Sequence, residues 1–114
     1  MKIAFATDAF RNECNNHELL VKQYGSRRAR LLRRRLDELF NAEVLEDMRR
    51  MPHVIFLGPA AGAGPGDLAL DLGKPFRLVF RPHSESAPVG DWDWKKIDSI
   101  LILGLFKADE KSAR

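Results

Sequence analysis

The chain has little of what disulfide, membrane or metal chemistry would need. It holds one cysteine in 114 residues, Cys14, so no internal disulfide can form; the reading is a structural thiol in a reducing compartment. It has no run of about 18 apolar residues, so no transmembrane helix is expected. The opening MKIAFATDAFRNEC reaches acid and asparagine before an apolar signal core can develop, so a cytoplasmic protein with no membrane partner is expected. His17, His53 and His83 are scattered without metal-ligand spacing, and no metal or cofactor is expected. The glycine-rich stretch GPAAGAGPG, residues 58–66, lacks the Lys-Ser/Thr of a phosphate-binding Walker loop. A strand pattern follows it, where a dinucleotide fingerprint needs a helix, so it reads as a connecting loop.

What is present suits one globular domain with one core: 45% hydrophobic and 31% charged residues. The net charge of +3 conceals an asymmetry. Residues 27–35, RRARLLRRR, carry six arginines and no acid, so the rest of the chain is net negative. Local basicity of this kind points to a polyanionic or acidic partner.

Along the chain, residues 2–7 alternate as a first strand. Asp8 or Asn12 is the expected cap of a helix running to about Lys22, and Tyr24-Gly25-Ser26 breaks it. With Ser26 as N-cap, a second helix is predicted over roughly 27–42. Ala29, Leu32, Leu36, Leu39 and Phe40 fall on its apolar face, and Arg27, Arg28, Arg30, Arg34 and Arg35 fall opposite. Arg30 and Arg34 repel each other at i,i+4, a cost that a bound anion would offset. Leu31 stands among the arginines and is a candidate exposed anchor for a partner. Residues 43–50 make a further turn or short helix, closed by Pro52, and 53–57 a short strand.

The segment GDLALDLGKPFRLVFRP, residues 66–82, is the most informative. Leu68, Leu70 and Leu72 alternate with Asp67, Ala69 and Asp71. After a Gly-Lys-Pro turn, Phe76, Leu78 and Phe80 alternate with Arg77, Val79 and Arg81. Period-two patterning on both arms predicts a hairpin with one buried face and arginines on the other, well placed to grip phosphate. A long connection, 82–93, leads to a last strand at about 98–106. Its continuous apolar character predicts a central strand or one buried on both faces. Trp92 and Trp94 just before it read as packing anchors. The predicted order is β-α-α-β-β-β-β: an α+β fold with two N-terminal helices on one face of a twisted, mainly antiparallel sheet of four to five strands.

Three segments carry a family resemblance: RRARLLRRRLDELFNAEVLEDMRRMP, GDLALDLGKPFRLVFRP and DWKKIDSILILG. In this order they resemble the HigB-type killer-protein group of the RelE/ParE toxin superfamily. There a basic second helix leads to "LEDL…LP". "G-x-x-x-L-D-L-x-x-P-[FY]-R-L-x-F-x-P" follows, and "D-W-x-x-[VI]" precedes the last strand. The likeness covers nearly the whole chain.

The resemblance implies the same α+β fold and a bacterial type II toxin. Such a toxin cuts mRNA on the ribosome and is neutralised by a cognate antitoxin, often of helix-turn-helix type. It implies metal-free attack of the mRNA 2′-hydroxyl on the adjacent phosphate, with a base, a proton donor and stabilising cations. Arg77 matches the arginine of "[FY]-R-L" and would stabilise the transition state, with Arg81 extending the grip. Arg27, Arg30 and Arg34, with Lys74 in the hairpin turn, would track RNA; Arg30, Leu31 and Arg34 would meet the antitoxin. The chain departs from the family at its end: where many relatives have Asp-Tyr-His, it has Phe106-Lys107-Ala108-Asp109. The 58–66 loop also lacks the basic residues found in many relatives. Lys107 is therefore the candidate replacement base, with His83 or Asp109 as further acid/base groups. Two other readings follow from those departures: a RelE-like protein that binds antitoxin or RNA without cutting, or a ParE-like toxin with a non-RNA target such as gyrase.

Overall fold

The computed structural model describes residues 1–57, 67–83 and 93–107. Thr7 caps the first helix, accepting from the Phe10 N–H at 3.2 Å, and α1 (Asp8–Cys14) then ends at Asn15. Asn16 restarts the chain, accepting from the Leu19 N–H at 3.1 Å, and α2 runs His17–Tyr24. The single helix expected here is thus two. Asparagine competes with helical backbone bonds in mid-helix and satisfies them at a cap, and two adjacent asparagines make the break.

Gly25, not Ser26, precedes α3 (Ser26–Asn41). Its φ of 86° turns the chain sharply between α2 and α3, in a region that residues with a Cβ avoid. A short α4 (Leu45–Arg49) follows, where the Asp47 carboxylate reaches back to the N–H groups of Glu43 and Val44.

The strands are β1 (Lys2–Phe5), β2 (Phe56–Leu57), β3 (Leu68–Asp71), β4 (Phe76–Pro82) and β5 (Ser99–Lys107), in sheet order β1-β5-β4-β3-β2. Only β1 pairs parallel, with β5; the β5-β4-β3-β2 pairings are antiparallel. The fold class is the expected α+β one. The apolar last strand is interior, between β1 and β4, while the 53–57 segment contributes only the two residues of β2.

One face of this sheet meets the helices. Leu70, Leu78, Phe80, Ile100 and Ile102 join Phe10, Leu20, Leu32, Leu36, Leu39, Leu45 and Met48 in one buried cluster. The hairpin leucines fall there as their alternation predicts. Phe40 does not: it is 67% exposed at the end of α3, bordering a cleft of about 210 Å³ with Ile3 and Phe5 beside β1.

The other face is arranged in cross-strand rows. Asp71, Arg77 and Phe106 lie side by side across β3, β4 and β5, and so do Ala69, Val79 and Gly104. A bulge interrupts β5 after the second row: Val79 pairs with Gly104 but Phe80 pairs with Ile102, leaving Leu103 extra. Gly104, at φ 139°, supplies the backbone freedom the bulge needs.

Candidate functional site

Two cationic surfaces emerge from this frame. The first is α3. Ala29, Leu32, Leu36 and Leu39 are buried, and Arg27, Arg30, Arg33 and Arg34 are exposed, as a single basic stripe requires. Two arginines expected in that stripe are elsewhere. Arg35 is buried at 6% exposure; it donates to Glu38 Oε1 at 2.5 Å and to the His53 carbonyl at 3.2 Å. Arg28 is half-buried, with its guanidinium 4.5 Å from the centre of the Phe76 ring. The reason lies in the spacing. Residues 28, 32, 35 and 39 are separated by four, three and four, which places Arg28 and Arg35 on the same stripe as Leu32 and Leu39. Leu31 is also half-buried and packs against the core, so it is not the exposed anchor expected.

The Glu38 carboxylate ties α3 to the approach to β2, accepting from Arg35 and contacting His53 Nε2. Burial works against its ionisation. Hydrogen bonds from His53 and Arg35, with their charges, outweigh that and hold the carboxyl below its ordinary value. His53 thereby gains a structural partner.

The second surface is the helix-free face of the hairpin. Arg77 sits on interior strand β4, half-buried, between Asp71 and Phe106 in register. Arg81 shares that face but is committed. Its Nε donates to Asp67 Oδ1 at 2.9 Å and its other nitrogen to Oδ2 at 3.2 Å, while the Asp67 side chain is only 1% exposed. A carboxylate removed from water needs such a partner, so Arg81 anchors the start of β3 before it can grip anything else. The sequence showed both residues; their parity, Asp67 and Arg81 each an even step from Asp71 and Arg77, was the signal for the pair.

Lys107 and Arg77 lie on opposite sides of the sheet. Phe76 is the register partner of Lys107, and Arg77 that of Phe106. The Lys107 ammonium lies 5.5 Å from the Phe76 ring centre. The bulge is the cause. Counting simple alternation from the buried Ile100 and Ile102 would put Lys107 on the Arg77 side of the sheet; the extra residue at Leu103 reverses the parity. His83 lies six residues beyond Arg77, just past the end of β4, about 20 Å away at roughly 3.3 Å per residue, with its N–H on the Ser99 carbonyl. Arg77, Lys107 and His83 are therefore not brought together. Lys74 is exposed at the hairpin turn, and its carbonyl accepts from Arg28 at 3.2 Å. Asp109, Trp92 and the 58–66 loop lie outside the described residues.

The remaining chemistry-bearing groups are structural. Cys14 is buried and its thiol is pushed up to about 12, by burial first and the neighbouring Glu13 charge second, so it holds no thiolate at neutral pH. Burial, then a hydrogen bond with Glu13, raises the Tyr24 hydroxyl in the same direction. Trp94 packs on Phe56 with ring centres 5.0 Å apart and carries Arg49 at 4.7 Å, in keeping with a packing role. Among the described residues no three His, Cys, Asp or Glu side chains cluster as metal ligands, and no helix is long and apolar enough to cross a membrane. Comparison with protein-family models, with curated proteins and with solved structures finds no match to this chain.

Proposed function

We propose that this chain is the toxin of a type II toxin-antitoxin pair, of the RelE/ParE kind, that acts on mRNA in the ribosome. The observation that carries the reading is the coincidence of motif and place. GDLALDLGKPFRLVFRP forms the β3–β4 hairpin, and its arginine, Arg77, stands on the helix-free face of an interior strand. A guanidinium fixed in a rigid row is pre-organised to meet the charge that develops on a phosphate under attack. The four exposed arginines of α3 supply the sequence-independent attraction that a ribosome-bound protein needs. In this reading a cognate antitoxin masks the exposed arginines.

The test is induction of the chain alone in a bacterial host, with transcripts mapped by primer extension beside an Arg77→Ala control. Growth arrest with new in-frame cuts, reduced about 10²-fold or more in the control, is expected. Lys107→Gln is expected to lose far less cutting than Arg77→Ala, because Lys107 stands on the opposite face from Arg77.

A second reading, binding of RNA or antitoxin without cutting, is favoured by one observation. The row through Arg77 pairs it with Asp71 and Phe106, not with a lysine or histidine that would serve as base. Absence of arrest on induction would select it. Arrest without cuts would point to a target other than mRNA.

A further inference from the structure

We propose a second phosphate subsite, separate from Arg77, in the cavity between the start of α3 and the tip of the β3–β4 hairpin. It takes a backbone phosphate of a single-stranded RNA. The cavity measures about 590 Å³ and is lined by Tyr24, Arg27, Arg28, Leu31, Leu72 and Gly73 among others. That volume is within the range of sites that hold small ligands, about 300–1,000 Å³.

Cations converge here without matching acids. Arg28 enters the wall and is fixed by carbonyls, donating to Tyr24 at 3.2 Å and Lys74 at 3.2 Å, with its Nε buried and unpaired. Its charge, and that of Lys107, both rest on the Phe76 ring, at 4.5 and 5.5 Å. Arg27 and Lys74 stand exposed beside them. Among the described residues no carboxylate pairs with any of these four. The one acid on the lining, Asp71, accepts from the Gly73 N–H at 3.0 Å.

Assembling positive groups at the start of a helix, where the helix dipole also favours negative charge, is unfavourable until an anion arrives; the first turn of α3 holds no acid. A planar guanidinium held by neutral carbonyls keeps its full charge for a phosphate. Lys74 stands exposed at the hairpin tip, three residues before Arg77 in the chain, and its carbonyl accepts from Arg28 at 3.2 Å.

The proposal rests on the reading of the chain as an RNA-binding protein, and its test separates the two. A fluorescein-labelled single-stranded hexaribonucleotide is titrated by anisotropy at several salt concentrations into wild type, Arg77→Ala and the double variant Arg27→Gln/Lys74→Gln. The double variant changes only exposed side chains, and a melting curve checks that it folds. It is expected to bind at least tenfold more weakly, with the slope of log K against log salt reduced by about 1.4. Arg77→Ala is expected to add its own loss independently. A double variant with wild-type affinity and slope overturns the subsite while leaving the Arg77 reading intact. No binding by wild type overturns the subsite too. RNA binding lost in the double variant, without growth arrest on induction of wild type, upholds the subsite and sinks the toxin reading.

Discussion

The α3 helix and the β3–β4 hairpin both present arginine, but they deploy it differently. On α3 the arginines divide by helical angle: those on the Leu32–Leu39 stripe serve the fold, and those off it face water. On the hairpin, Arg77 and Arg81 share a face and divide by place: Arg77 stands in the row with Asp71 and Phe106, and Arg81 on the buried Asp67 carboxylate. A count of positive charges therefore overstates a nucleic-acid surface. What sets its extent is which guanidiniums have already been taken by a buried carboxylate.

That division can be tested by substitution, and the largest effect is expected at Arg35. Arg35→Ala leaves the Glu38 carboxylate, 18% exposed, with His53 alone, and is expected to cost about 3 kcal/mol in chemical denaturation, with no direct effect on RNA contact. Arg81→Ala is expected to cost about 2 kcal/mol, less because its side chain is 46% exposed. A wild-type stability for Arg81→Ala would show that the buried Asp67 carboxylate does not depend on it. The acid limb sharpens the same contrast. The lowered Glu38 carboxyl contributes stability that is full above its ordinary value of 4.5 and is lost as pH falls through its lower folded value. Unfolding free energy measured from neutral pH down to about pH 3 is expected to fall less steeply for Glu38→Gln than for wild type. The smallest effect belongs to the exposed stripe. Arg30→Gln is expected to stabilise by about 0.3 kcal/mol, by relieving the repulsion with Arg34, while lowering the salt slope of RNA binding by about one.

Much of the fold was legible in the sequence because its signals were periodic. The hairpin alternation placed Leu70, Leu78 and Phe80 in the core, and the apolar run of β5 gave an interior strand. The misreadings came where one residue outweighs a pattern. Asn15-Asn16 split a helix that periodicity carries through. Arg28 and Arg35 were sorted by charge, although their spacing of four, three and four with Leu32 and Leu39 put them on the buried stripe. Long aliphatic stems cover apolar surface while the guanidinium finds a carbonyl, carboxylate or ring at its edge. Of the candidate site, Arg77 was readable from alternation within one strand. Lys107 was not, because its side depends on everything between it and the core residues of β5. The isolated Gly104 within an apolar strand was the available warning.

That glycine has a consequence for how such a protein changes over generations. The bulge divides β5 into two halves whose facing is set independently. Straightening the bulge, with Leu103 taken into the ladder opposite Val79, would turn Lys107 to the Arg77 side and Phe106 away from it, without the loss of any residue. A substitution at Gly104 that cannot hold its φ of 139° favours that straightened pairing. The chemistry open to descendants of this chain thus depends on the register of one strand as much as on the residues it carries.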